Sequence, residues 1–268
     1  MLILLSPTKQ MDFTSPLSKD WQCVTGKMEK TIPFFNAETL ELNKQLALFE
    51  KEELEKLMKI SPAISERTMR EIGTFGRVKQ KRKAALAAYS GTVFKHLAPE
   101  TFSRDDILFA QAHLRILSGM YGVLKPLNEI EAYRLEMKTP LRLDNGKNLT
   151  SFWKEKVTEF LSTEEILSSR KIPILNLASN EYMKVIDKNQ IHNPIITLTF
   201  KELVNGKLRT VGMYAKMARG VMVRKIIKGR IEDPIRLQTG ETGGYRFNKE
   251  ASSETEWIFV REQSKEME

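Results

Sequence analysis

Cysteine is almost missing from this sequence of 268 residues, in which Cys23 is the single example. One cysteine excludes an intramolecular disulfide framework and any zinc or iron–sulfur site built from several thiolates. The histidines at 96, 113 and 192 show none of the spacings that typify metal motifs. The sequence therefore predicts no metal site and no bound cofactor, although a site of carboxylates alone stays open, and His113 is interpreted as a structural residue.

Long hydrophobic runs are also missing, since no stretch approaches the ~20 apolar residues that a membrane-spanning helix needs. The opening residues, Met1 to Pro7, are apolar but short and lack a basic leader, so they predict a strand and not a signal peptide. With the scarcity of cysteine, this predicts a cytoplasmic protein without a membrane partner. No repeat or long linker divides the chain, so we expect one domain over residues 1–268, of unassigned oligomeric state.

The familiar catalytic signatures are a third absence. The sequence contains no G-x-x-x-x-G-K-[ST] loop, no G-x-G-x-x-G after a strand and no G-x-S-x-G elbow. Glycines 240, 243 and 244 are interpreted as a flexible turn. No residue is therefore assigned a catalytic role, and whether the protein is an enzyme stays open.

What is present is a globular composition, 41% hydrophobic and 29% charged, with alternating helix and strand patterns. Apolar runs predict buried strands at 2–5 and 172–178, and Asn205-Gly206 predicts a hairpin between 195–203 and 207–214. Helical spacing predicts helices over 36–60, 63–83 and 215–229, and a further helix from an N-cap at Ser103 through Leu117. We expect a mixed α/β (α+β) domain with a mixed, partly antiparallel sheet and flanking helices.

Polar residues follow two of the predicted strands directly. Ser6 and Lys9 come after strand 2–5, and Asn180 and Glu181 come after strand 172–178. Ligands of sheets with helices on their faces lie beyond the carboxyl ends of the strands, so these residues are candidates for a pocket. The alternative is that Ser6 and Asn180 only satisfy nearby backbone groups.

The segment 114–127 has the outline of a helix–hairpin–helix, in which a helix ends at a glycine turn and an apolar segment follows at once. Turn glycines of such a motif expose backbone N–H groups that can bind a DNA phosphate. Ser118, Gly119, Gly122 and Lys125 are the candidate DNA contacts here. A plain glycine C-cap explains Gly119 equally well.

Basic residues exceed acidic ones by 43 to 34, a net charge of +9, which favours polyanionic partners. In the predicted helix 215–229, Lys216 and Arg219 lie on one sector, whereas Arg224 and Lys225 lie on another. Two basic faces suggest that one meets solvent or a partner and the other lines a cleft. The alternative is a solvated basic helix without a function.

Seven ordered motifs make the chain resemble the YaaA peroxide-stress protein family over nearly its whole length. They lie at residues 4–9, 88–94, 114–127, 133–137, 177–182, 214–222 and 244–247. The resemblance implies a cytosolic bacterial protein that limits oxidative damage under hydrogen peroxide by lowering free iron. It also implies an unusual α/β fold with a positively charged cleft, a helix–hairpin–helix element and binding to duplex and branched DNA.

Two hypotheses of different classes follow. The first is a peroxide-stress protein that binds DNA independently of sequence through Lys216, Arg219, Arg224 and Lys225 and the 118–125 turn, and limits iron-mediated damage. The second is an enzyme acting on a nucleotide, a nucleobase or another small anion. Its pocket would contain Ser6, Lys9, Tyr133, Arg134, Glu136, Asn180 and Glu181, with Lys216 and Arg219. Iron sequestration by oxygen ligands is a third possibility.

Overall fold

A mixed sheet of nine strands is the main feature of the part of the chain that the structure describes. The computed structural model describes residues 1–27, 31–77, 79–144, 146–169 and 171–262. The strands are β1 (Leu2–Leu5), β2 (Lys83–Ala84), β3 (Leu114–Ser118), β4 (Gly122–Leu124), β5 (Glu129–Ile130), β6 (Ile174–Leu177), β7 (Ile195–Val204), β8 (Lys207–Arg209), β9 (Glu241–Thr242), β10 (Tyr245–Asn248) and β11 (Glu256–Glu262).

Helices of very different lengths accompany these strands. They are α1 (Lys19–Lys27), α2 (Asn36–Leu46), α3 (Lys51–Met58), α4 (Pro62–Thr74), α5 (Ala85–Ala88), α6 (Thr92–Leu97), α7 (Arg104–His113), α8 (Leu149–Ser162), α9 (Asn180–Met183) and α10 (Gly212–Lys228), with short 3-10 turns at Pro99–Thr101, Glu165–Leu167 and Pro234–Gln238. Among the described residues, none of these helices is long and apolar enough to span a membrane.

The strand order explains how the sheet is both parallel and antiparallel. The main sheet runs β4-β3-β1-β6-β7-β11-β10-β9, with β8 paired to β7. β3, β1, β6, β7 and β11 are parallel to their neighbours in this group. The outer pairs β3–β4, β7–β8, β10–β11 and β9–β10 are antiparallel hairpins or ribbons. The mixed, partly antiparallel sheet predicted from the sequence is confirmed.

β1 lies between two parallel neighbours, and its four residues, Leu2 to Leu5, have no solvent exposure. A strand that is buried on both faces has a continuous apolar run instead of an alternating one. Burying one such side chain contributes roughly 1.5–3 kcal/mol. β3 pairs with one edge of β1 and β6 with the other, so β1 is a point at which the strand order reverses.

Three predicted helices have different bounds in the structure. The predicted helix 36–60 is divided into α2 and α3, because Glu50 starts a new helix with a capping box. The predicted helix 63–83 ends at Thr74, before Gly76 adopts a φ of 77°, and position 78 lies outside the described residues. The helix from Ser103 ends at His113, with the predicted Ser103 cap in place.

The predicted helix–hairpin–helix at 114–127 is wrong. Leu114–Ser118 is a buried strand parallel to β1, and its turn leads into β4, so the segment is a β-hairpin. A short run rich in apolar residues fits a buried helix and a buried strand equally well, and here pairing with β1 decides for the strand. The turn predicted at Asn205-Gly206 is confirmed, with φ of 50° and 71° at the two positions, as a type I′ turn requires. The second strand is shorter than the predicted 207–214, because β8 ends at Arg209 and α10 begins at Gly212.

α10 crosses α6 at very short range, and Gly220 is the contact that permits it. A Cβ at Gly220 would overlap with the backbone carbonyl oxygen of Val93 and would crowd the Cβ of His96. This close approach sets the distance between α10 and the first turn of α6.

We predict opposite effects for two glycine-to-alanine substitutions in helices. Gly220→Ala destabilises the fold by roughly 1–3 kcal/mol, because the added methyl group has no room. Gly73→Ala in α4, where a Cβ would meet nothing within 4 Å, stabilises it by about 0.5–1 kcal/mol. Urea unfolding of the two variants and the wild-type chain measures both changes. Equal effects of the two substitutions would refute the close-packing argument.

Candidate functional site

A cavity of about 490 Å³ opens beyond the carboxyl ends of β1 and β6, and we call it the strand-end cavity. Ligand sites of open α/β sheets lie at this place, where the strand order reverses. Its walls consist of the residues that follow β1, the start of α6, the loop 133–138, the residues that follow β6, and one face of α10. These are Leu5, Ser6, Pro7, Thr8, Lys9, Gln10, Gly91, Thr92, Val93, Tyr133, Arg134, Leu135, Glu136, Lys138, Leu177, Ser179, Glu181, Tyr182, Lys216 and Arg219.

Hydrogen bonds and close contacts hold the separate walls together. The backbone N–H of Ser179 donates to Ser6 Oγ at 2.8 Å, which joins the loops after β6 and β1. The loop after β1 also lies tightly against Gly91, because a Cβ there would overlap with Thr8 Oγ1. These contacts hold the loop after β1 against the loop after β6 and against Gly91, and none of them involves a cationic side chain.

The charges of the cavity are unequal. Lys9 Nζ lies 2.8 Å from a Glu136 oxygen, and Lys138 Nζ lies 3.5 Å from the other Glu136 oxygen and 3.9 Å from Glu181. These two lysines balance the two carboxylates that line the cavity. Arg134, Lys216 and Arg219 form no ion pair with any residue that the structure describes.

Arg219 is the most constrained of the three unpaired cations. Its Nε is buried and has no hydrogen-bond partner among the described residues. Burial lowers the pKa of the Arg219 guanidinium from its ordinary value, but arginine stays protonated in proteins. Arg219 as a whole is half-buried and lines the cavity. Partial removal of a cation from water without an ion-pair partner is unfavourable, so an anion in the cavity would offset this cost.

Two phenols add neutral polar groups to the wall. Burial raises the pKa of Tyr133 to about 12, although hydrogen bonds from Ser118 and Tyr89 act in the opposite direction. Burial also raises the pKa of Tyr182 well above its ordinary value, and the negative charge of nearby Glu181 adds to this. Both phenols are therefore protonated at neutral pH.

The structure brings together most of the predicted pocket residues. Ser6, Lys9, Tyr133, Arg134, Glu136 and Glu181 all line the strand-end cavity, and so do Lys216 and Arg219 from the basic helix. Asn180 does not line it, because it begins α9 with an exposed side chain while its neighbours Ser179 and Glu181 face the cavity. The roles of all the predicted pocket residues in binding or catalysis remain predictions.

Arg224 and Lys225, two of the predicted DNA contacts, lie outside the cavity and bind other parts of the fold. Arg224 Nη1 donates to the carbonyl oxygens of Leu97 and Ala98 at 3.0 and 3.2 Å, at the end of α6. Lys225 Nζ donates to Thr242 Oγ1 at 2.9 Å. The two basic sectors of α10 thus differ. Lys216 and Arg219 line a cavity, whereas Arg224 and Lys225, expected to meet solvent or a partner, donate hydrogen bonds within the protein.

The four candidates in the 118–125 turn are not arranged for backbone contacts with DNA. Ser118, Gly119 and Gly122 are buried in the β3–β4 hairpin. The carbonyl oxygen of Gly119 accepts a hydrogen bond from Trp153 Nε1 at 2.9 Å. Lys125 Nζ lies 3.3 Å from a Glu164 oxygen. The hairpin therefore contributes to the core.

The predicted pocket residues do not include four parts of the cavity lining, namely Thr8, the start of α6, Lys138 and Tyr182. The 88–94 motif was noticed only through the family resemblance, because Gly91 and Thr92 carry no charge or nucleophile that marks a site. Tyr182 could have been found, since it stands beside Glu181 after a buried strand. Lys138 N–H donates to Glu181 Oε1 at 3.1 Å, a contact that no local spacing predicts.

The described residues contain no group of side chains suited to a metal centre. Within the described ranges, no three or more His, Cys, Asp or Glu side chains form a group that could hold a metal ion. His113, interpreted from the sequence as structural, has its Nδ1 2.8 Å from the carbonyl oxygen of Met1.

Comparison with known proteins gives consistent full-length matches. The model of the family described as "Peroxide stress protein YaaA" matches residues 1–251. A UPF0246 protein of Acaryochloris marina is 40% identical over 263 residues, which cover 97% of this chain and 100% of the relative. UPF0246 proteins of Maricaulis maris and of Francisella tularensis subsp. novicida are each 39% identical, over 98% and 97% of this chain and 97% and 100% of their own lengths.

We predict that most tyrosines of the folded chain stay protonated at pH 10. Burial raises the pKa of Tyr89, Tyr121, Tyr133, Tyr182 and Tyr245. The folded state therefore holds the phenolic protons more tightly than the unfolded state does. The resulting stabilisation of the folded state by these five tyrosines is fully present below their unfolded pKa of about 10. The stabilisation from Tyr133 is lost as the pH rises through its folded-state pKa of about 12.

Tyrosinate absorbance measured against pH tests this prediction. The folded chain should show little tyrosinate until it unfolds, whereas the chain in urea should titrate all six tyrosines near pH 10. Superimposable titration curves for the two states would contradict the burial of these phenols.

Proposed function

The chain belongs to the peroxide stress protein YaaA family, and from this premise we propose that it acts in peroxide stress by binding a small phosphorylated ligand in the strand-end cavity. The family gives the general role in peroxide stress. The ligand class is inferred from the three unpaired cations Arg134, Lys216 and Arg219.

The charge of the cavity suits a phosphate group. Among the described lining residues, five cations stand against two carboxylates, which leaves three positive charges. A phosphate monoester carries about −1.5 to −2 at neutral pH. The guanidinium fork of arginine matches phosphate oxygens in a bidentate geometry, which supports roles for Arg134 and Arg219.

The size of the cavity supports a small ligand. Small-molecule pockets measure roughly 300–1,000 Å³, and about 490 Å³ falls inside this range. A duplex interface instead covers roughly 1,000–2,500 Å² of protein surface. The geometry therefore favours the second of the two hypotheses from the sequence, a site for a nucleotide or another small anion.

We predict that Arg219→Met weakens binding of a phosphorylated ligand by at least about tenfold. Hydrogen bonds to charged groups contribute roughly 1.5–3 kcal/mol, and about 1.4 kcal/mol corresponds to a tenfold change. Calorimetric titration with inorganic phosphate, pyrophosphate and AMP measures the loss and separates the phosphate group from the nucleobase as the source of affinity.

Arg236→Met is the matched control, because Arg236 is exposed and lies outside the cavity. It should bind all three compounds as the wild-type chain does. A wild-type chain that binds none of them, or an Arg219→Met variant that binds equally well, would refute the proposal.

DNA binding independent of sequence is a second proposal, supported by the net charge of +9 and by the exposed Lys216 at the cavity. Limitation of iron-mediated damage, which the family resemblance implies through lower free iron, stands beside DNA binding in this second proposal. Because Arg224, Lys225 and Lys125 are engaged within the fold, the DNA contacts would shift to Lys216 and Arg219.

Gel-shift titrations of duplex and junction DNA over a salt series test this second proposal. Affinity should fall steeply with salt, and Lys216→Ala should reduce the slope of log affinity against log salt by about one. Lys225→Ala, whose amino group bonds to Thr242, should leave the slope unchanged. The reverse pattern would place the DNA on the other face of α10.

A further inference from the structure

Three hydroxyl groups form a buried chain beside the strand-end cavity. Tyr133 Oη lies 2.8 Å from Ser118 Oγ and 2.7 Å from Tyr89 Oη. Tyr133 lines the strand-end cavity. Tyr89 lines a second cavity of about 350 Å³ that also includes Trp21 and Phe94. The pair of phenols therefore stands between two cavities.

The hydroxyl hydrogens of Ser118, Tyr133 and Tyr89 can be assigned by counting donors and acceptors. Ser118 Oγ accepts hydrogen bonds from the backbone N–H groups of Met120 and Tyr121, at 3.2 and 3.0 Å. These bonds occupy both acceptor positions of a serine hydroxyl. Its own hydrogen must then point to Tyr133 Oη, the remaining hydrogen-bond partner among the described residues.

One hydrogen atom is left over among the two phenols of this series of hydrogen-bonded hydroxyl groups. The two phenols have two hydrogens, and only one is needed between Tyr89 Oη and Tyr133 Oη. If Tyr89 donates to Tyr133, the Tyr133 oxygen accepts two hydrogen bonds and its own hydrogen has no protein partner within the described ranges. If Tyr133 donates to Tyr89, the spare hydrogen belongs to Tyr89 instead.

The neighbourhood decides between these two arrangements. An anion in the strand-end cavity would attract a hydrogen from Tyr133, because three positive charges are left over among its described lining residues. In the second cavity, the two lysines, Lys83 and Lys95, are balanced by the carboxylates of Asp12 and Glu100. Lys83 also already donates to the carbonyl oxygens of Asp12 and Ser15. An anion is therefore better placed in the cavity that contains Arg219.

We propose that Tyr133 is a neutral hydrogen-bond donor to the ligand of the strand-end cavity and that Ser118 and Tyr89 orient its hydroxyl towards a phosphate oxygen. This inference rests on the proposed function, since it names a further ligand contact in the same site. The ligand then receives charged donors from arginine and one uncharged donor from a phenol. Because burial raises the pKa of Tyr133 to about 12, the phenol keeps its hydrogen at neutral pH.

Two measurements test the role of Tyr133, with inorganic phosphate as the probe. Tyrosines of the wild-type chain are isotope-labelled at ring carbon Cζ, and their NMR signals are followed as phosphate is added. The Tyr133 signal should move, and the Tyr89 signal should move less. In parallel, Tyr133→Phe should weaken phosphate binding by roughly tenfold, near the upper end for a neutral hydrogen bond.

Tyr214→Phe is the matched control, because it makes the same chemical change at a partly buried tyrosine that does not line the strand-end cavity. Its affinity for phosphate should equal the wild-type value, since no hydrogen bond to the ligand or to Tyr133 is lost. The labelled wild-type chain decides the question even where Tyr133→Phe fails to fold.

The possible outcomes separate this inference from the proposed function. If wild-type protein binds no phosphate, the proposed function fails, and this inference fails with it. If phosphate binds in an Arg219-dependent way but the Tyr133 signal and the affinity of Tyr133→Phe are unchanged, only the present inference is overturned. Movement of the Tyr89 signal alone would assign the spare hydrogen to the second cavity and would also overturn it.

Discussion

The parallel pairing of β1 with β3 on one edge and β6 on the other determines where the other parts of the molecule lie. Four fully buried aliphatic side chains hold β1 in place, and removing them from water is the main favourable contribution to this pairing. Since the three strands are parallel, their carboxyl ends meet at one edge of the sheet. The loops beginning at Ser6 and Ser179 are brought together as a consequence.

α10 completes the site because it can approach α6 closely. Gly220 lies against the carbonyl oxygen of Val93 without a side chain between them. This contact places Lys216 and Arg219 of α10 against the same cavity that Val93 lines. The position of the cations therefore depends on a missing side chain at Gly220, which directly follows Arg219 and lies about one turn beyond Lys216. A larger residue there would move the charges away from the sheet.

The basic residues of the protein divide into two groups with different physical roles. Arg224, Lys228 and Arg230 bind carbonyl oxygens or Asp106 and thereby tie the end of α10 to α6 and α7. Arg134, Lys216 and Arg219 line the cavity without an ion pair in the part of the chain that the structure describes. A net positive charge alone does not distinguish these groups, because both contribute equally to it.

The sequence by itself determined an apolar strand at 2–5, another within 172–178, the Asn205-Gly206 turn and the polar residues that follow the strands. Each of these depends on a local pattern, such as a continuous apolar run or a turn that needs positive φ. Only the tertiary structure decided that 114–118 is a strand, because an apolar run has no period until a neighbour such as β1 pairs with it. It also decided which cations are unpaired: Lys125 has Glu164 as its partner and Arg224 has Leu97, residues far away in the chain that no spacing rule connects.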